Sequence, residues 1–276
     1  MLNVLRESLR TKRRTIAYPD VPDLAPPAYR GRPEIDPHAC QCAGDCVAVC
    51  PSQAITLTQI APGTERWQLD LARCVFCGLC AEVCPHDALT MTNDYELAAR
   101  SRGDLITGVT FGPDAAAVPD TRATPDAERL HGRIQGLLKR SLHIRHCDAG
   151  SENSCDWEIN ALLNPVYDVQ RLGIDFVASP RHADLLLVTG AVTRHLEPAL
   201  RATYAAMPAP RLVVAVGDEA CSGGILQGSY AVLGGVDRCL PVDVYIPGDP
   251  PRPQALIQGL LVALDRLAPI WSSSRF

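Results

Sequence analysis

Charge of one sign is not in excess. The chain carries 26 Lys and Arg against 31 Asp and Glu over 276 residues, a formal net charge of −5, which gives no general reason to expect nucleic-acid binding. Long apolar runs are missing as well. The best candidates, Asp184–Val192 and Leu256–Trp271, are too short or carry Gln258, Asp265 and Arg266, so neither reads as a bilayer span. The start, Met1 to Arg14, has no apolar h-region and no small-residue cleavage site, and does not read as a secretory signal. A dinucleotide fingerprint is lacking too, because Gly217, Gly223 and Gly224 do not have the G-x-G-x-x-G spacing.

What the chain has in quantity is cysteine. There are twelve, and eight of them fall between Cys40 and Cys84. Without a secretory signal, metal ligation in a reducing, intracellular compartment explains them better than disulfides do. A hydrophobic fraction of 47% suits one or two globular domains with a real core.

Four regions follow from the pattern. Residues 1–37 read as a short basic amphipathic helix, with Leu2, Leu5 and Leu9 on one side, followed by a proline-rich arm. The helix is either a solvated terminus or a docking element for a partner or an anionic surface. The arm should be extended and pack along another surface. Residues 38–95 contain an internal repeat: Cys40, Cys46, Cys50 and Pro51 recur at a constant offset as Cys74, Cys80, Cys84 and Pro85. Such a repeat predicts two similar halves about a pseudo-two-fold axis. Residues 96–125 are rich in Gly, Pro, Asp and Ala without a period, and read as a linker. Residues 126–276 form the second domain, opening on a helix over 126–140. There, short apolar runs (Leu142–Cys147, Asp175–Ala178, Asp184–Thr189, Leu212–Val216, Val242–Ile246) alternate with helical stretches at Trp157–Leu163, Leu196–Met207 and Pro253–Leu267. That alternation predicts an α/β sandwich with a mostly parallel sheet, with function at the carboxyl ends of its strands.

Cys74-x2-Cys77-x2-Cys80-x3-Cys84-Pro85 is the bacterial ferredoxin run. Three thiolates on one tight loop reach three irons of one cube, and the fourth serves the other cube. Cys50, Cys74, Cys77 and Cys80 are therefore expected to hold one [4Fe–4S] cluster, cluster 2. Cys84 should complete cluster 1 with Cys40, Cys42 and Cys46. The spacing and the repeat disfavour a structural zinc site. The first half departs from the pattern, because the repeat places its second ligand at Ala43 while a cysteine stands one place earlier, at Cys42. Either Cys42 ligates from a redrawn loop, helped by the backbone freedom of Gly44, or this half carries a three-iron cluster or none. The reading taken is two intact [4Fe–4S] clusters.

Two family resemblances meet in the chain. Residues 1–95, with Tyr29-Arg30-Gly31-Arg32-Pro33 just before the cysteines, resemble the ferredoxin subunit of complex I and of the membrane-bound formate hydrogenlyase and hydrogenase-4 group. Residues 140–267 resemble the small, cluster-bearing subunit of the same enzymes. The matching stretches are His146–Ile159, Ser179–Asp184, Val216–Ile225, Gly234–Arg238 and Pro241–Pro253. The resemblance implies a fusion of two neighbouring subunits: an α+β ferredoxin domain followed by a flavodoxin-like three-layer α/β domain. It implies a large-subunit partner with its membrane subunits, and a peripheral place on the cytoplasmic face of the inner membrane. It also places four cysteines of a further cluster at positions 152, 155, 219 and 249, where this sequence has Glu152, Cys155, Glu219 and Asp249.

Carboxylates suit harder ions than iron–sulfur cubes do, so a third cluster of the usual kind is not expected. Three readings of that site stay open. The cluster could be replaced by acid–base pairs drawing on Arg181, Arg252 and Arg194. Cys147 and Cys221 could rebuild an unusual site beside Cys155, although free cysteines, Cys239 included, are also good core residues. Glu152, Glu219 and Asp249 could bind a metal ion or carry protons.

The expected function is an electron-transfer subunit of a complex I-like or group 4 hydrogenase-like oxidoreductase, with no general acid or nucleophile to name. The alternatives are a structural or redox-sensing scaffold subunit of such a complex, or a free ferredoxin-like donor. His86, His146 and His182 read as structural.

Overall fold

The computed structural model describes residues 6, 7, 10, 14–112, 118–119 and 141–267. The helix expected over residues 126–140 lies outside the described residues, as does most of the one expected over residues 1–14.

Strand β1 (Pro33–Ile35) leads into the short helix α1 (Asp45–Val49), the hairpin β2 (Ile55–Ala61) and β3 (Thr64–Asp70), the short helix α2 (Leu79–Glu82) and strand β4 (Leu89–Met91). β4 returns antiparallel to β1, with Pro33 opposite Met91. The hairpin register sets Ile55 opposite Leu69 and Leu57 opposite Trp67. Along β3, Trp67 and Leu69 are buried while their neighbours are less so, the period of two that puts one face of a strand on a core. Strand β5 (Ile106–Phe111) adds antiparallel to β3, and β6 (Val118–Pro119) pairs with β5. The segment read as a linker from its composition therefore completes a four-stranded sheet. Its sequence, ITGVTF, mixes small and polar residues with apolar ones and carries little contrast from which to read a strand.

The second region opens with β7 (Leu142–Asp148), α3 (Ser154–Ala161), β8 (Ile174–Phe176), β9 (Leu185–Thr189) and β10 (Val192–Thr193). It continues with α4 (Glu197–Ala206), β11 (Leu212–Val216), α5 (Gly217–Ser222), β12 (Val232–Gly234), β13 (Val244–Ile246) and α6 (Pro253–Ala263). Five strands form one sheet in the order β13-β11-β9-β7-β8, and every pairing in it is parallel. Counted along the chain this is the order 2-1-3-4-5, the flavodoxin-like arrangement, whose ligands sit outside the carboxyl ends of the strands. β9 and β11 are buried at every residue, as a parallel sheet covered on both faces requires.

The two faces are covered differently. Leu185, Leu187, Val214 and Val216 face Cys155 and Ile159 of α3 and the buried helix α6. Leu186, Val188, Val213 and Ala215 face the other way, toward Leu200 of α4 and Cys221 of α5, in a core that runs on into Trp67, Leu69 and Leu105 of the N-terminal unit. Backbone pairing of Ala99 with Tyr245 crosses the same boundary, at 2.9 and 2.8 Å. Arg102 also forks onto Asp70 with two bonds of 2.6 Å. The proline-rich arm is tied to the first face. Ile16 N–H donates to Val166 at 3.0 Å, Tyr18 to Glu96 at 2.7 Å and Tyr95 to the Asp23 carbonyl at 2.7 Å.

Candidate metal centres

In the N-terminal unit the repeat in sequence is also a repeat in backbone. Cys42, Gly44 and Gln53 have φ of 55°, 89° and 52°, and their counterparts in the second half, Phe76, Gly78 and Asp87, have 51°, 85° and 49°. Gly44 and Gly78 open helices α1 and α2 in the left-handed conformation, where a side chain would be strained. Each helix runs into a cysteine whose sulfur accepts a backbone N–H: Ala54 to Cys50 Sγ at 3.2 Å and Ala88 to Cys84 Sγ at 3.3 Å.

Two cavities lie between these loops and the β2–β3 hairpin. The first, of about 400 Å³, is lined by Cys40, Cys42, Cys46 and Cys84 together with Leu57 and Trp67. The second, of about 320 Å³, is lined by Cys50, Cys74, Cys77 and Cys80 together with Ile55 and Leu69. All eight cysteines read as ligands thus fall into two groups of four, each around its own cavity. Phe76 N–H adds a donor to Cys74 Sγ at 3.4 Å. The loop of the first half is not redrawn. Cys42 takes the backbone conformation of Phe76, one place before the position equivalent to Cys77, and brings its sulfur to the cavity from there.

This donor set fits iron–sulfur cubes. Soft sulfurs ring an apolar cavity rather than meeting at one point, and among the described residues no three His, Cys, Asp or Glu converge as for a single ion. Without metal, burial favours the protonated thiol at Cys42, Cys46, Cys74 and Cys80. Burial, then a hydrogen bond with Glu65, pushes Cys42 up to about 12. Burial, then Cys77, pushes Cys80 up to about 11. Loading a cluster therefore expels protons.

The second centre lies at the carboxyl ends of the parallel strands. The loop after β7 brings Glu152 and Cys155, the start of α5 after β11 brings Asp218 and Glu219, and the loop after β13 brings Asp249. Cys155 and Asp218 are buried at the bottom, Glu219 is half-buried, and Glu152 and Asp249 sit at the rim. Gly217 has no side chain because a Cβ there would stand 2.6 Å from Cys155 Sγ. The acids raise one another's affinity for protons. Asp218 is pushed up to about 8 by burial and then by Asp249. Glu219 is pushed up to about 8 by burial and by a hydrogen bond with Glu152. Burial and then Glu152 raise the Cys155 thiol and the Asp249 carboxyl.

Arginine pairing, expected at this site, is not what the geometry gives. Among the described residues no ion pair reaches Glu152, Asp218, Glu219 or Asp249. Arg252 instead binds Asp23 of the arm at 3.1 Å and lies over Tyr95, 4.6 Å from the ring centre. Arg194 donates to the Tyr230 carbonyl at 2.8 Å. The physical reason is competition: the arm, from the far end of the sequence, claims the Arg252 guanidinium. Rebuilding with other cysteines also fails on position. Cys155 belongs to one face of the sheet. Cys221 and Cys239 are buried in the core on the other face, where Cys147 also packs. There Cys221 donates to the Ala215 carbonyl and Cys239 to that of Val236, as core cysteines do.

Sequence reasoning missed Asp218, whose only signal was adjacency to Glu219, and Trp67, whose signal was its alternation with Leu69. Of the histidines, His146 is structural, 3.1 Å from Asp156 and 3.0 Å from Thr189. His86 and His182 are exposed.

Comparison with known proteins matches both halves. Residues 38–88 match the family described as a 4Fe-4S dicluster domain. Residues 153–263 match the one described as NADH ubiquinone oxidoreductase, 20 Kd subunit. The probable membrane-bound hydrogenase subunit mbhJ of Pyrococcus furiosus is 43% identical over 52% of this chain and 87% of its own. An NADH-quinone oxidoreductase subunit of Desulfovibrio desulfuricans is 50% identical over 60% of this chain and 90% of its own. With relatives this similar over most of their length, the chain belongs to the NADH ubiquinone oxidoreductase 20 Kd subunit family, the small-subunit family. Formate hydrogenlyase subunit 7 of Escherichia coli is a further relative, 50% identical over 57% of this chain and 62% of its own length. This member of the small-subunit family thus carries a dicluster ferredoxin domain on the same chain, ahead of the family domain.

Proposed function

We propose that this small-subunit homologue is an iron–sulfur electron-transfer subunit of a membrane-associated complex I-like or group 4 hydrogenase-like assembly. The observation that carries the reading is the division of eight cysteines into two groups of four, each around its own cavity. Cys40, Cys42, Cys46 and Cys84 would hold cluster 1, and Cys50, Cys74, Cys77 and Cys80 cluster 2. The matching φ angles of the two halves support two ferredoxin half-motifs about a pseudo-two-fold axis. When bound, each [4Fe–4S] cluster supplies a one-electron outer-sphere couple. The chain's own part is to hold the thiolates apart, donate backbone N–H groups to their sulfurs and keep the cavities apolar.

The family's usual cluster in the second domain is replaced by a protonated acidic pocket. Oxygen donors there are hard, and the pocket keeps its charge low by binding protons. The membrane-bound hydrogenase relative supports partners within a membrane complex; a large subunit, membrane subunits and a peripheral place on the cytoplasmic face are part of the same proposal. Among the described residues no helix is long and apolar enough to cross a membrane. Trp157 and Ile225, a few residues after Cys155 and Glu219, are 73% and 63% exposed, as residues of a docking surface would be.

The test is an EPR-monitored redox titration of the chain within its purified complex, followed by freeze-quench during turnover. Both clusters should be reduced and reoxidised at the turnover rate. Clusters that never change state during turnover would replace this reading with the scaffold alternative.

A further inference from the structure

The face of the β2–β3 hairpin that covers the cysteine cavities is built from two cross-strand pairs. Ile55 and Leu69 stand opposite each other and line the second cavity. Two residues along, Leu57 and Trp67 stand opposite each other and line the first. The pairs are equivalent in position and both are apolar in bulk. They differ in one atom that matters: the indole Nε1–H of Trp67. Trp67 is 3% exposed, and its Nε1 is buried without a well-formed hydrogen bond to the protein. A buried donor left unpaired is costly. The Cys46 sulfur, which lines the same cavity, is close enough to feel that N–H. Other polar side chains lining the first cavity, Gln41, Asp45 and His86, are exposed to solvent. In the second cavity the Ser52 hydroxyl stands 3.8 Å from Cys50 Sγ, a long contact.

Resting on the two-cluster reading above, we infer that Trp67 donates its indole N–H to a sulfur of cluster 1, and that this donor raises the potential of cluster 1. Reduction adds negative charge to the cube and its thiolates, and a hydrogen bond to sulfur stabilises that charge, so the potential rises. Leu69 offers cluster 2 nothing comparable. The feature that tunes cluster 1 is thus a side chain outside the cysteine motif.

The test uses the full chain, purified anaerobically, and its Trp67→Phe variant, which keeps an apolar ring and removes the donor. Both are titrated potentiometrically with EPR detection, with iron counted in parallel. The expected result is a cluster 1 midpoint more negative in the variant, with the reduction equilibrium shifted about tenfold, about 59 mV for one electron. Cluster 2 should not move and the iron content should be unchanged. Unmoved midpoints, or two that move together, overturn the role of Trp67 and leave the two-cluster reading standing. A wild-type chain with no cluster 1 overturns both. Should the variant fail to assemble, the unsubstituted chain labelled with ¹⁵N-tryptophan decides the matter. A ¹⁵N hyperfine coupling on reduced cluster 1 is expected, and its absence overturns the inference.

Discussion

The ferredoxin unit and the carboxyl end of the parallel sheet each gather a thiol-bearing set of four or five titratable side chains from separate loops, and they solve the same electrostatic problem in opposite ways. Around the two cavities the groups are all cysteines, and burial raises Cys42, Cys46, Cys74 and Cys80 among them, so that iron must displace protons. At the sheet end they are four carboxyls and one thiol, and no cation among the described residues balances them. Asp218 and Glu219 therefore hold protons up to about 8, and Asp249 is raised as well. The lesson is that clustered acids can go without counter-charges, provided a solvent-facing rim lets proton uptake stand in for them.

Changing the ligand chemistry in either region should break this contrast most visibly. Cys74→Ser in the second cavity should abolish cluster 2, lowering iron by about four per chain, as read by iron and acid-labile sulfide analysis. The converse experiment restores thiolates to the sheet end. The triple substitution Glu152→Cys, Glu219→Cys and Asp249→Cys should raise iron by about four per chain, with a third EPR signal on reduction. A failure to gain iron would mean that the pocket has changed shape as well as chemistry.

Cys42→Ala probes the irregular half. It should remove one iron from cluster 1, giving a three-iron signal in the oxidised state while cluster 2 stays intact. Full retention of cluster 1 would show that the fourth ligand lies elsewhere.

The smallest expected effect concerns pH. Asp218 and Glu219 have folded values raised to about 8. They bind more protons folded than unfolded, so their contribution is fully present below about pH 4 and is lost as pH rises through about 8. Asp218→Asn should flatten the fall in thermal stability between pH 5 and pH 9, by on the order of 1 kcal/mol at the alkaline end. An unchanged slope would mean that the pocket is fully hydrated.

Much of this organisation was legible in the residues. The cysteine spacing and its repeat at constant offset carry both cavity groups, because ligand geometry is local to each loop. Four of the five strands of the parallel sheet, among them Leu185–Thr189 and Leu212–Val216, were readable as apolar runs, since interior parallel strands are buried on both faces. The fifth, β8, is shorter and starts earlier than its apolar run suggested. Strand β5 was hidden by its own composition. The fate of Arg252 was hidden by distance: its partner Asp23 lies in the arm, and no local pattern connects the two. Trp67 was hidden by its ordinariness, since an aromatic residue on a buried strand face calls for no explanation until its N–H is found without a partner.

Iron and acid-labile sulfide, counted per chain on anaerobically purified protein, bear most directly on the contrast between the two regions. About eight of each are expected, from two four-iron clusters in the ferredoxin unit. About twelve would contradict the contrast, because the acidic pocket would then hold a four-iron cluster despite its carboxylates.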